Sequence, residues 1–143
     1  MDILLVEDNP GDVRLTREAF RDVDPTIRLH VACDGTEAIA FLQRQGPHGR
    51  APRPDMILLD LNMPKMDGRE VLALIKADES LKLIPTVILT TSGAEGDILQ
   101  SYRLQANSYL RKPQELGCFD ELVKSINDYW VHRVSFPPLD ICS

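Results

Sequence analysis

The chain has 143 residues, 22 of them acidic and 16 basic, for a net charge of −6 and a pI near 5.0. That length suits one domain with a real core, and the acidic balance leaves no basic stripe for nucleic acid. No apolar run approaches the ~20 residues of a membrane-spanning helix.

The first apolar run, Ile3-Leu4-Leu5-Val6, starts almost at the N-terminus, with no basic leader before it. A helical stripe follows, with Val13, Arg17, Phe20 and Val23 three or four apart. Ile27 to Ala32 alternates and reads as a half-exposed strand. Asp34 and Glu37 resemble a capping box ahead of a second stripe, Ala38, Phe41 and Leu42. Residues 46–54, rich in Gly, Pro and basic groups, predict an exposed and poorly fixed loop. The run Met56-Ile57-Leu58-Leu59, the stripe Val71, Leu72 and Ile75, and the run Thr86-Val87-Ile88-Leu89 come next. Ile98, Leu99 and Tyr102 mark a fourth helix, Ser108-Tyr109-Leu110 a weak fifth strand, and Phe119, Leu122, Val123, Ile126 and Trp130 the most regular helix. Continuous apolar runs are what strands buried on both faces look like. The strict alternation with helices implies a parallel sheet sandwiched between helical layers.

Chemistry collects at the strand ends. The first run ends in Glu7-Asp8, the third strand in Asp60, the fourth in Thr90-Thr91-Ser92 and the fifth in Arg111-Lys112-Pro113. In a parallel sheet these ends share one edge, where open α/β sheets bind ligands. Taken alone, Asp8 also reads as part of a helix-start turn; the same coincidence at four strands is harder to dismiss. Three carboxylates held together repel unless a cation or proton intervenes. An all-oxygen donor set without His or Cys suits Mg²⁺ better than zinc or iron. Cys33, Cys118 and Cys142 lack CxxC spacing and cannot all pair, which fits a reducing cytoplasm. Cys33, at the end of the second strand, reads as a small buried hydrophobe.

These segments closely resemble the receiver domain of two-component response regulators. The resemblance runs through Leu4 to Asn9, Pro54 to Gly68, Pro85 to Ser92 and Tyr109 to Pro113, and covers residues 1 to about 130. It implies a doubly wound, five-stranded parallel sheet of order 2-1-3-4-5 with five helices. Residues 1–133 would be the receiver and 134–143 a C-terminal extension at a dimer interface, with no output domain. By the family pattern Asp60 is the phosphoacceptor. Asp8, Asp60 and the main-chain carbonyl of Asn62 hold Mg²⁺, with Glu7 reaching it directly or through water. Lys112 pairs with Asp60 or the phosphoryl group, turned inward by a cis Lys112–Pro113 bond. Thr90 and Tyr109 form the switch, and Asn62 and Ser92 flank the phosphoryl group and tune its hydrolysis. One departure stands out: the usual Gly-Ala before the fifth strand is Gln105-Ala106 here. Either Gln105 accepts a left-handed conformation at some cost, or Asn107 supplies it instead.

The proline-rich loop before Pro54, the Ile-Leu-Thr-Thr-Ser segment and the Tyr129-Trp130 pair with its Val-Ser-Phe-Pro tail also resemble the response regulators of cyanobacterial and bacterial phytochromes. That likeness implies a phytochrome histidine kinase as phosphodonor and a homodimer through the fourth helix, fifth strand, fifth helix and tail. Tyr129 and Phe136 would be the exposed aromatics of that contact, and Trp130 a core residue in register with Ile126. Nucleic acid and membrane are not expected partners, and the module is read as a signalling receiver rather than an enzyme. Two other readings compete: a degenerate receiver that only docks, and an aspartate-nucleophile phosphatase. The phosphatase would need an acid at position 62, where the chain has Asn62. A flavodoxin-like carrier shares the sheet order but needs a Gly/Ser/Thr phosphate loop where this chain has Glu-Asp-Asn-Pro.

Overall fold

The computed structural model describes residues 1–114 and 119–138. Its elements are β1 (Asp2–Val6), α1 (Pro10–Val23), β2 (Arg28–Ala32), α2 (Gly35–Leu42), β3 (Met56–Leu59), α3 (Gly68–Ala77), β4 (Thr86–Thr90), α4 (Glu95–Arg103), β5 (Ser108–Arg111) and α5 (Phe119–Ile126). Five parallel strands hydrogen-bond in the order β2-β1-β3-β4-β5, the order that the family resemblance implies. Strand periodicity divides the core in two. Leu4, Val6, Ile57, Leu59, Ile88 and Tyr109 face one layer, with Ala38, Phe41, Val71, Leu72 and Ile75 of α2 and α3. Ile3, Leu5, Met56, Leu58, Val87, Leu89 and Leu110 face the other, against Ala19 and Phe20 of α1 and Val123 and Ile126 of α5. The three inner strands are buried at every position, which is why their sequences are continuously apolar.

Several local expectations change. In α1 the core-facing residues are Thr16, Ala19 and Phe20, while Arg17 is exposed; Thr16 is tolerated there because its hydroxyl donates to the Asp12 carbonyl at 2.7 Å. In α4 the stripe turns outward: Leu99 and Tyr102 are 51% and 49% exposed, and Ser101 is the buried residue. Residues 46–54 are well anchored. Gly46–His48 form a 3₁₀ turn, the Arg44 guanidinium donates to the Ala51 carbonyl at 2.9 Å, and that of Arg53 to the Ser80 hydroxyl and carbonyl at 2.9 and 2.7 Å.

Cys33 is exposed rather than buried, because it stands in the turn beyond the end of edge strand β2. Cys118 and Cys142 lie outside the described residues. The last helix continues from α5 through one π-type turn, Asn127–Val131, and stops before Val134. Trp130 and Phe136 are half-buried against the α1/α5 core, while Tyr129, 59% exposed, packs edge-on against the Trp130 ring. Phe136, Pro137 and Pro138 line a groove of about 590 Å³ with Arg53, Pro54 and Pro85, at the edge of the sheet opposite the acidic strand ends.

Leu104 caps α4, Gln105 adopts φ 71°, and Asn107 is not left-handed. The Gln105 N–H donates to Tyr102 at 2.9 Å and that of Ala106 to Ser101 at 3.0 Å, a Schellman ending. Asn107 does something else: its side-chain oxygen accepts from the Thr86 N–H and the Lys76 ammonium, at 2.8 and 3.0 Å.

Candidate functional site

The strand register brings the acids together. β1 lies between β2 and β3, and the first amides past its end and past β3 continue the ladder, Glu7 N–H to Ala32 and Asp60 N–H to Val6, both at 3.0 Å. Glu7 and Asp60 are therefore fixed side by side, 2% and 7% exposed, with Asp8 exposed next to them. One carboxylate oxygen from each of Glu7, Asp8 and Asp60 lies within 4.8 Å of the other two. Asp8 is free to face this cluster because Asn9 does the capping, its side chain accepting from the Asp12 N–H at 3.1 Å ahead of Pro10 in the first turn of α1. A close set of hard oxygen donors with water on one side fits a divalent cation of the Mg²⁺ or Mn²⁺ type.

From the other side comes Lys112. Its N–H continues the β4 ladder to the Thr90 carbonyl at 2.7 Å, and its ammonium, 4% exposed, donates to Glu7, to Asp12 at 3.0 Å and to Asp60 at 3.3 Å. No peptide bond among the described residues is cis, so the expected cis Lys112–Pro113 bond is trans. Three carboxylates meet the lysine on the inner side. Burial pushes the Glu7 carboxyl up to about 7, reinforced by Asp60 and opposed by Lys112. Burial also works against the charge of Lys112, but Glu7, Asp60 and Asp12 outweigh it and raise the ammonium above its ordinary value.

The hydroxyl residues stand at the end of β4, the strand beside β3. Thr90 is fully buried at the end of β4. Ser92, half-buried, donates its hydroxyl to Asp97 at 2.6 Å, and its carbonyl accepts from the Tyr109 hydroxyl at 2.9 Å. Tyr109 is thus already turned inward and tied to the loop after β4. Asn62 is exposed two residues beyond Asp60. All the acids, the hydroxyls and the lysine expected from sequence therefore meet at one sheet edge.

Sequence reasoning missed two groups. Asp12 joins Lys112 from the first turn of α1; its signal was an acid one helical turn beyond Asp8. Arg69 bridges Asp67, the N-cap of α3, to Asp97 at 2.5 Å, and so links the loops after β3 and β4. Nothing in its local sequence pointed there.

The profile of the response regulator receiver domain matches residues 3–127. The chain belongs to that family. It is 47% identical over 135 residues to response regulator Rcp1 of Synechocystis, covering 94% of this chain and 92% of the relative. It is also 42% identical over 129 residues to the probable methanogenesis regulatory protein FilR2 of Methanothrix harundinacea, 90% of this chain and 83% of that one. The Mn²⁺-bound form of Rcp1 superposes with a TM-score of 0.90 at 47% identity, over 96% of this chain and 99% of that one. The phosphorylated cyanobacterial phytochrome response regulator RcpA gives 0.92 at 46%, over 96% and 98%. This receiver is accordingly a two-component signalling module related to phytochrome response regulators. Receivers of this family bind divalent metal, and the acid cluster fits one. Among the described residues no helix is long and apolar enough to cross a membrane.

Proposed function

We propose that the protein takes a phosphoryl group from the phosphohistidine of a sensor histidine kinase onto Asp60, with Mg²⁺, and passes the signal on through a change in shape. The observation that carries this reading is the convergence of Glu7, Asp8 and Asp60 with the buried ammonium of Lys112. An Asp60 carboxylate oxygen attacks phosphorus, the N–P bond to the kinase imidazole breaks, and an acyl phosphate forms. Glu7, Asp8, Asp60 and the Asn62 main-chain carbonyl would hold a divalent ion, which would supply positive charge against the acids and the phosphoryl oxygens. Lys112 balances a phosphoryl oxygen by a charge-assisted hydrogen bond. The Thr90 hydroxyl donates to another, and Tyr109 packs behind the drawn-in loop, a two-state element biased by local charge. Asn62 and Ser92 stand beside the phosphoryl group, where they control how water approaches it.

The relatives that share almost the whole chain support a phytochrome histidine kinase as donor. A homodimer through α4, β5, α5 and the C-terminal extension accounts for the exposed Leu99, Tyr102 and Tyr129. A cytoplasmic location follows from a kinase donor. The discriminating experiment is incubation with acetyl phosphate and Mg²⁺, with an Asp60→Asn variant in parallel. Stable uptake of one phosphoryl group, abolished by the substitution, supports the receiver reading. Multiple rapid turnover would favour a phosphatase, and no uptake a docking module.

A further inference from the structure

Lys112 has three N–H donors, and all three are engaged, by Glu7, Asp12 and Asp60. Glu7 and Asp60 belong to the acid cluster at the strand ends. Asp12 does not: it stands on α1, outside the trio of carboxylates that converge. Its carboxylate, 25% exposed, reaches the ammonium from the solvent side at 3.0 Å, closer than Asp60 at 3.3 Å. Three carboxylates therefore touch one ammonium, and with Asp8 the site holds four; a divalent ion seated there still leaves it net negative when all are ionised.

We propose that Asp12 is a positioning residue that sets the place of the Lys112 ammonium and restrains anion loading at Asp60. This deepens the phosphoryl-acceptor reading and rests on it. The group that Asp60 receives is an anion and draws on the same ammonium. Asp12 competes for that ammonium and adds a like charge a few ångströms from the incoming oxygens. Asp12 is a quarter exposed, so solvent screens it at a water-like dielectric, and removing one such charge changes anion affinity by roughly threefold to tenfold. The part Asp12 plays in the fold is separable from this. Its N–H donates to Asn9 and its carbonyl accepts from Thr16, both through the main chain, so Asp12→Asn leaves them intact.

The test titrates beryllofluoride into the full chain at saturating Mg²⁺, by calorimetry, for wild type, Asp12→Asn and Asp12→Glu. Mg²⁺ alone is titrated in parallel. Asp12→Asn is expected to bind beryllofluoride roughly threefold to tenfold tighter while binding Mg²⁺ no tighter than wild type, and Asp12→Glu to stay near wild type. Tighter anion binding without tighter cation binding is something a loosened fold would not produce. Unchanged or weaker beryllofluoride binding by Asp12→Asn overturns the inference. Wild type that takes up no beryllofluoride at all overturns the phosphoryl-acceptor reading itself.

Discussion

Glycine in place of Gln105 should stabilise the protein, because the residue after α4 is left-handed at φ 71° and carries a Cβ it does not need. An L-residue in that region costs roughly 1–2 kcal/mol. Glycine removes the cost but loses about 0.5–1 kcal/mol more backbone entropy on folding. At the middle of both ranges the net gain is about 0.5–1 kcal/mol, and the exposed Gln105 side chain makes no hydrogen bond to the described residues. In urea unfolding the midpoint should rise with the m-value unchanged, and the melting temperature should rise by roughly 2–4 °C for a gain near the top of that range. Gln105→Ala is the control: it deletes the side chain but keeps the Cβ, so it should stay within a few tenths of a kcal/mol of wild type. Arg44, at φ 55° after α2, gives a second comparison. Its guanidinium holds the Ala51 carbonyl, so Arg44→Gly should gain less. Equal gains from Gln105→Ala and Gln105→Gly, or no gain from glycine, would refute a backbone origin for the effect.

Metal affinity should depend on pH through Glu7. Its carboxyl is raised from 4.5 to about 7, first by burial, so the folded, metal-free protein holds a proton there that the unfolded chain releases. The metal-free protein therefore loses stability as pH rises through that window, and a cation must displace the proton below it. Mg²⁺ titrations at about pH 6 and about pH 8 should show tighter binding at the higher value; a flat profile would contradict the burial argument. Gly68→Ala should destabilise by about 1–3 kcal/mol in thermal or urea unfolding. A Cβ at that position would overlap the Asp60 carbonyl oxygen and come within 2.7 Å of the Leu61 Cα; near-wild-type stability would show that the start of α3 can move away from Asp60.

The sheet was legible because β1, β3 and β4 are buried on both faces and leave an unbroken apolar trace. The site was legible because parallel strands bring their C-terminal residues to one edge, so Glu7, Asp8, Asp60, Thr90 and Lys112 could be grouped by position alone. Helix faces were harder. α4 carries Leu99 and Tyr102 outward and buries Ser101, so a hydrophobic stripe marked the helix but not its inner side. Cys33 was misplaced because apolarity says nothing of whether a residue falls inside edge strand β2 or in the turn beyond it. Asp12 and Arg69 escaped because their partners are distant in sequence: Lys112 is 100 residues from Asp12, and Asp97 is 28 from Arg69.

The most direct test of an acyl phosphate at position 60 is chemical trapping. The protein is treated with acetyl phosphate and Mg²⁺, reduced with borohydride, digested and sequenced by mass spectrometry. The account predicts conversion of Asp60, and of no other carboxylate, to homoserine, in a reaction that disappears when the metal is chelated. Reduction at Glu7, Asp8 or Asp12 instead, or labelling of Asp60 that persists without metal, would contradict it.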